Sequence, residues 1–120
     1  MQQLTGILLV NLGTPDSPSV PDVRKYLKEF LLDERVIDIP APQRNLLVRG
    51  IIAPFRAPKS AKLYEQIWNE NGSPLLSFSK LLKTKLQNKL GENYLVELAM
   101  RYQSPSIKNG LDILKKANCN

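Results

Sequence analysis

The chain has 120 residues, of which 42% are hydrophobic, a size that suits one small globular domain or a piece of one. The chain has 17 Lys and Arg and 11 Asp and Glu, and the resulting net charge of +6 favours anionic partners. Because the basic residues are spread along the chain, we do not expect nucleic-acid binding. A single cysteine, Cys119, excludes an internal disulfide, and the lack of histidine removes the commonest general base and metal ligand.

The chain opens on an apolar stretch. Residues 5–11 (TGILLVN) form a continuous apolar run with β-branched members, which predicts a strand of a parallel sheet, buried on both faces under helices. The run is too short to span a membrane and has no cationic leader before it. We therefore expect a cytoplasmic location.

Two helical patterns and a proline-rich segment follow. Pro21 and Asp22 suit a first helical turn, and apolar residues then recur at positions 23, 26, 27, 30 and 31, which predicts an amphipathic helix. Residues 33–58 contain four prolines and are expected to form a short helix between irregular segments. Residues 60–69 predict another short helix with Leu63, Tyr64, Ile67 and Trp68 on one side, closed by a turn at Asn71 and Gly72.

The last third of the chain has well-marked boundaries. Ser73 and Pro74 begin a longer helix that ends at Gly91, and its predicted apolar face comprises Leu75, Phe78, Leu82 and Leu86. Residues 94–100 predict a second strand. Ser104 and Pro105 are expected to cap a helix carrying Ile107, Leu111 and Leu114. This order predicts an α/β fold with a parallel sheet, and because two strands make a poor sheet we expect the chain to be cut from a longer protein.

In open parallel sheets ligands bind at the carboxyl ends of the strands, here after Asn11 and after Met100. The first loop lacks both GxGxxG and GxxxxGK[ST], so a nucleotide-binding protein is a weak alternative, and Gly13 is at least as well explained by a tight turn. Arg101 and Tyr102 end the second strand and can bind an anion, although, taken alone, they are better explained by a surface ion pair of Arg101 and simple packing of Tyr102.

Five blocks of sequence, read in order, resemble the ferrochelatases. They are LLVNLGTPDSP, YLKEFLLDERVIDIP, RAPKSAKLYEQIW, NGSPL and ELAMRYQSPSI, and together they run from about Gly6 to Ile107. The resemblance implies two Rossmann-like, chelatase-type domains, each a four-stranded parallel sheet flanked by helices, with a porphyrin between them. The 120 residues would then be the N-terminal part of the first domain, an incomplete half-domain, with the rest of that domain and the second domain absent.

The resemblance also implies porphyrin-binding residues. Leu12 stands where the family has a residue close to the centre of the macrocycle; other members have tyrosine or methionine there, whereas leucine can form an apolar wall but cannot ligate iron. Phe30 and Leu31 match a hydrophobic lip at the pocket mouth, and Arg101 and Tyr102 match a pair lining the inner pocket. Arg56, Tyr64 and Ser73 match positions that hydrogen-bond the propionates.

The catalytic histidine and glutamate of the family match nothing in this chain, so we expect no catalytic residue, metal ligand or bound cofactor here. The implied substrates are Fe²⁺ and protoporphyrin IX. Peripheral membrane association is left open, and the sequence does not report the oligomeric state. Two alternatives also stay open: a non-catalytic porphyrin- or anion-binding α/β module, and a related chelatase acting on coproporphyrin or another metal.

Overall fold

The computed structural model describes residues 3–120, which form two compact units. The sheet unit comprises the chain up to Gly13 together with Leu75–Asn120, and the helical unit comprises Thr14–Pro74. In chain order the elements are β1 (Thr5–Gly13), α1 (Val20–Leu31), α2 (Ala41–Leu47), a π-helical segment (Val48–Ile52), α3 (Ala53–Ile67), α4 (Pro74–Leu90), β2 (Tyr94–Tyr102) and α5 (Ile107–Lys116).

The sheet unit contains the predicted parallel pair. β1 and β2 run parallel in a register that pairs Thr5 with Tyr94 and Gly13 with Tyr102. Both strands continue two residues beyond their predicted ends, because the ladder extends to the Gly13–Tyr102 pair. The α/β class and the parallel sheet flanked by helices are therefore confirmed.

The burial predicted for β1 is wrong. Val10 is 52% exposed and Leu12 is 49% exposed, whereas five residues of β2 (Val96, Leu98, Ala99, Met100 and Tyr102) are buried. Within residues 3–120 the sheet has only the order β1-β2, and α5 contacts β2 more than β1. β1 is thus an edge strand here, although its composition is that of a strand covered on both faces.

α5 contacts the sheet at Gly110, which faces Leu8 of β1 and Ala99 of β2. A Cβ on Gly110 would come within 2.6 Å of Leu8 Cδ1 and 3.5 Å of Ala99 Cβ, so a larger residue there would require the Leu8 side chain to move. The helix is capped by Ser106, whose hydroxyl accepts a hydrogen bond from the Asn109 N–H at 3.1 Å. The predicted cap at Ser104 is therefore wrong: Pro105 lies before the helix instead of in its first turn.

α4 begins and ends where the sequence indicates, at Pro74 and before Gly91, whose φ of 85° suits glycine. Its predicted apolar face is wrong, because Phe78 is 69% exposed and Leu82 is 57% exposed. Polar groups hold the helix to β2 instead: Lys83 Nζ donates to Glu97 Oε2 at 3.0 Å, and the Gln87 side chain bonds to the β2 backbone.

The helical unit is built on α1 and α3. The Ser19 hydroxyl caps α1 by accepting from the Asp22 N–H, and the predicted apolar stripe is buried at Val23, Tyr26 and Leu31. Ala57 and Ala61 of α3 pack on Val23, and these small side chains bring the two helices together. The buried side of α3 thus differs from the predicted one, since Leu63 is 64% exposed and Ile67 is 53% exposed.

The segment expected to be irregular is mostly helical. Helix continues from Ala41 to Ile67 through the π-helical segment, after which the Ala53 N–H bonds to the Val48 carbonyl. Pro54 follows this wide turn and lies in the first turn of α3, where a missing N–H costs little, whereas Pro58 lies inside the helix. The predicted turn after α3 is confirmed by the paired Asn69 and Gly72.

Candidate functional site

Two predicted site residues lie at one edge of the sheet. The pairing of Asn11 with Met100 and of Gly13 with Tyr102 places Leu12 and Arg101 side by side at the carboxyl ends of β1 and β2. The Leu12 side chain is half exposed and offers an apolar surface. This is the edge at which parallel sheets bind ligands, as the sequence predicts.

Gly13 fixes the backbone at this edge. Its φ is 125°, and a Cβ built on it would collide with the Tyr102 carbonyl oxygen. The two strands approach too closely there for any side chain, so the glycine sets where β1 leaves the sheet.

Hydrogen bonds of the Asn11 side chain connect the end of β1 to α4. Asn11 Oδ1 accepts from the Leu12 N–H at 2.8 Å, and Asn11 Nδ2 donates to the Ser79 hydroxyl at 3.3 Å. Ser79 in turn donates to the Leu75 carbonyl at 2.6 Å. Sequence reasoning missed this network; its only signal was a serine inside an apolar helix pattern.

Arg101 and Tyr102 differ in exposure. The Arg101 side chain is exposed and its Cζ lies 5.4 Å from the centroid of the Tyr102 ring, a cation–π contact, whereas Tyr102 is only 5% exposed. A ligand at this edge could therefore reach the guanidinium, while the tyrosine mainly forms the surface beneath it.

Thr14 is a second residue that sequence reasoning missed. Its side chain is 3% exposed, and its hydroxyl has no hydrogen-bond partner among residues 3–120. A buried hydroxyl without a partner loses its bonds to water and costs free energy. The Thr14 hydroxyl is therefore a buried polar group that lowers the stability of this chain.

In the helical unit, Tyr64 lies on α3 beside a shallow depression. The depression has a volume of about 410 Å³ and is lined by Ser60, Leu63, Tyr64, Gln66 and Ile67. Burial raises the pKa of the Tyr64 phenol, so the group stays protonated at neutral pH and can donate a hydrogen bond. The ring also makes an edge contact with Trp68, with centroids 6.4 Å apart.

The other two predicted propionate anchors do not line this depression. Arg56 is exposed, two turns before Tyr64 on α3, and about 12 Å along a helix axis separates such positions. Ser73 is 2% exposed, so its hydroxyl faces the interior. The structure of this chain therefore does not bring the three groups to one opening, and their shared role stays a prediction.

The predicted lip residues are not equally accessible. Phe30 is half-buried and stacks on Tyr26 with centroids 6.1 Å apart and ring planes 1° apart. Leu31 is 9% exposed and belongs to the buried face of α1. Of the two, only Phe30 presents a surface that a ligand could cover.

Within residues 3–120 no group of three or more His, Cys, Asp or Glu side chains is arranged to hold a metal ion. Over the same residues, none of the helices combines the length and apolar character needed to cross a membrane.

Known proteins are similar to this chain in sequence. The sequence profile of the ferrochelatase family matches residues 4–120. The chain belongs to the ferrochelatase family. A Coxiella burnetii (strain Dugway 5J108-111) ferrochelatase is 51% identical over 114 residues, which are 95% of this chain and 32% of the relative.

A second ferrochelatase, from Legionella pneumophila (strain Paris), is 54% identical over 110 residues, which are 92% of this chain and 33% of the relative. The chain thus spans about a third of the length of the curated ferrochelatases it matches. The resemblance seen in the five sequence blocks is confirmed.

We expect Gly13→Ala to destabilise the chain by about 2 kcal/mol or more, because alanine is strained at positive φ and its Cβ meets the Tyr102 carbonyl. Gly50→Ala is the control, since nothing lies within 4 Å of a Cβ there, and it should be neutral or stabilising by up to about 1 kcal/mol. Urea unfolding followed by circular dichroism measures both. Equal stability of the two variants would refute the proposed constraint.

We expect Thr14→Val to stabilise the chain by about 1 kcal/mol, because a methyl group replaces a buried hydroxyl that has no partner. The same change at the exposed Thr84, whose hydroxyl donates to the Lys80 carbonyl, should alter stability by less than about 0.5 kcal/mol. The urea midpoints of the two variants give the comparison. A clear loss of stability on Thr14→Val would show that the hydroxyl has a partner.

Proposed function

We propose that this chain is part of an enzyme that inserts Fe²⁺ into protoporphyrin IX to form haem, the last step of haem biosynthesis, and that it supplies the porphyrin-binding wall. The observation that carries the proposal is the match to the ferrochelatase family over residues 4–120. The placement of Leu12 beside Arg101 at the ligand-binding edge of the sheet agrees with it.

Iron insertion sets three physical requirements. The macrocycle must bend so that the pyrrole lone pairs become accessible, its two N–H protons must leave, and Fe²⁺ must shed its water. Overall, porphyrin and Fe²⁺ give haem and two protons. A pocket that fits the bent ring better than the flat one lowers the barrier, because only binding that is stronger in the transition state accelerates the reaction.

The residues of this chain suit the binding part of that task. Leu12 offers an apolar surface to a flat ligand, Arg101 and Arg56 are exposed cations for carboxylates, and the Tyr64 phenol stays neutral as a donor. The chain has no histidine to accept the pyrrole protons. In this proposal the base and the metal path come from the parts that the relatives have and the 120 residues do not span.

The porphyrin and ferrous iron are the proposed partners, and no nucleic acid is involved. A single unpaired cysteine fits a cytoplasmic enzyme. A visible-absorbance titration of the full-length enzyme with protoporphyrin and Fe²⁺ reports binding and insertion together. Insertion into coproporphyrin alone, or binding without insertion, would favour the related chelatase or the non-catalytic module instead.

In the full-length enzyme we expect Arg56→Ala to raise KM for protoporphyrin about tenfold and to change kcat less than about twofold, because a propionate contact is common to ground and transition states. Lys59→Ala is the control: it removes an exposed cation from the same helix, at a position that matches no propionate contact. Steady-state insertion rates give both constants. An unchanged KM in the Arg56 variant, or an equal rise in both variants, would count against the role of Arg56.

We expect the isolated 120-residue chain to insert no metal, because it lacks a histidine base. The purified chain is incubated with protoporphyrin and Fe²⁺ without oxygen, and the haem absorbance is followed. The same assay without protein sets the background rate. Turnover above that background would overturn the assignment of catalysis to the missing parts.

A further inference from the structure

The side of α4 that faces the sheet is polar. Ser79, Lys83 and Gln87 follow one another at intervals of four, so they lie on one face of the helix. Gln87 bonds to the start of β2, Lys83 pairs with a glutamate in the middle of β2, and Ser79 bonds to β1 near its end. Of these three contacts, only that of Ser79 lies at the edge of the sheet where Leu12 is.

Ser79 is an unexpected residue to bury on this helix. Within residues 74–90 it alone is buried, with 7% of its surface exposed, while Phe78 and Leu82 on the same helix are exposed. Serine also favours a helix interior less than alanine does, because its hydroxyl competes for backbone hydrogen bonds. Apolar packing and helix formation therefore do not explain the serine, whereas the hydrogen bonds of its hydroxyl do.

The hydrogen bonds of Ser79 fix the orientation of the Asn11 carboxamide. A hydroxyl has one proton to donate, and Ser79 donates it to the Leu75 carbonyl at 2.6 Å. Towards Asn11 the hydroxyl can therefore only accept, so the Asn11 NH₂ group faces Ser79 and Asn11 Oδ1 faces the Leu12 N–H. The opposite orientation would set the NH₂ group against the Leu12 N–H, and two donors repel each other. Ser79 thus decides which end of the amide meets Leu12.

The Leu12 backbone depends on this carboxamide for a hydrogen bond. The N–H groups of successive strand residues point to opposite sides, and the Thr5 N–H points to the β2 side, where it donates to the Asn93 carbonyl. The Leu12 N–H, seven residues on, therefore points away from β2, and within residues 3–120 its partner is Asn11 Oδ1 at 2.8 Å. The carboxamide holds the strand end on the side that the β1–β2 ladder leaves open.

We propose that Ser79 is a positioning residue of the porphyrin site: through the Asn11 carboxamide it holds the Leu12 backbone, and so keeps the apolar Leu12 side chain in place beside Arg101. The inference rests on the proposed function, in which Leu12 forms part of the porphyrin-binding wall. Because successive side chains of a strand point to opposite faces, Ser79 contacts the face opposite the Leu12 side chain. It therefore acts on the ligand only through the backbone of β1.

In the full-length enzyme, Ser79→Ala should raise KM for protoporphyrin about fivefold and change kcat less than about twofold. Without the hydroxyl the carboxamide can turn, so Leu12 occupies its binding position for only a fraction of the time, and the apparent affinity falls by that fraction. Once the porphyrin is bound the wall is in place, and kcat is retained. Alanine favours helix, so α4 still forms in the variant. Steady-state insertion rates give both constants.

Two other variants of α4 are the controls. Thr84→Ala removes an exposed hydroxyl that donates to the carbonyl four residues earlier, as the Ser79 hydroxyl does. Lys83→Ala removes a different contact between the same face of α4 and the sheet. Both variants should keep KM and kcat within about twofold of the unmodified enzyme. A rise in KM in either control as large as that in Ser79→Ala would indicate general loosening of α4 and would refute the specific role of Ser79.

A double-mutant cycle tests whether Ser79 acts through Leu12. Leu12→Ala removes the apolar side chain that the hydrogen bonds position, so the addition of Ser79→Ala to it should raise KM by less than about 1.5-fold. If the effects of the two changes on KM multiply as independent effects do, Ser79 does not act through Leu12 and the inference is wrong.

Amide hydrogen exchange gives a second readout that needs no porphyrin. The full-length enzyme is labelled with ¹⁵N-leucine, and the Leu12 signal is identified by its absence in the Leu12→Met variant. Ser79→Ala should speed the exchange of the Leu12 amide about fivefold or more, whereas Thr84→Ala should leave it unchanged. Unchanged exchange in Ser79→Ala would overturn the inference, even if KM had risen.

The two readouts separate failure of this inference from failure of the proposed function. If the unmodified full-length enzyme neither binds nor converts protoporphyrin, the proposed function fails, and the exchange of the Leu12 amide still shows whether Ser79 holds this backbone. If the unmodified enzyme inserts iron and Ser79→Ala leaves KM unchanged, the proposed function stands and Ser79 has no positioning role in it.

Discussion

The close approach of the β1 and β2 backbones at the carboxyl edge of the sheet sets the register of the two strands. Gly13 and Tyr102 approach until no Cβ fits between them, and this contact ends the ladder in a single register. Because a shift of one residue would turn every side chain to the opposite face, the contact also decides that Leu12 and Arg101 share an edge. The network from Asn11 through Ser79 then fixes α4 against the end of β1.

The helical unit is stabilised in a different way. Ala57 and Ala61 provide little apolar area, but their size lets α3 approach α1 closely enough to bury Val23 completely. The larger apolar side chains of α3 point away from this contact. Tyr64 lies at its margin, where partial burial raises the pKa of the phenol and keeps it protonated. Packing by small residues therefore leaves the bulky and charged ones at the surface, where a ligand can reach them.

Local signals in the sequence predicted the elements well, because caps and breakers act over a few residues. Pro21, Pro74 and Gly91 marked helix ends correctly, and the apolar runs of β1 and β2 identified the parallel pair. The ordered blocks identified the family. Periodicity failed where burial depends on distant partners, since Phe78 and Leu82 look like core residues and are exposed in this chain.

In the candidate site too, some features could be predicted from the sequence and others could not. That Leu12 and Arg101 meet follows from parallel strands alone, and so could be predicted. The burial of Ser73, the unpartnered hydroxyl of Thr14 and the Asn11–Ser79 bond depend on three-dimensional packing that no local pattern encodes. The roles that resemblance assigns to Arg56, Tyr64 and Ser73 concern a ligand and remain predictions.

The wide turn at Val48–Ile52 has a consequence for how this chain tolerates changes in length. A π-helical turn accommodates one residue more than an α-helical turn, so it is equivalent to a single insertion absorbed within a helix. Deleting one residue there would convert the wide turn into an α-helical one, apart from the bond that Pro54 cannot donate, while Ala57, Ala61 and Tyr64 keep their places against α1. The phase of α2 relative to α3 would stay the same, because the wide turn had already absorbed the extra residue. Homologous chains could thus differ by one residue in this segment and still present the same face of α3.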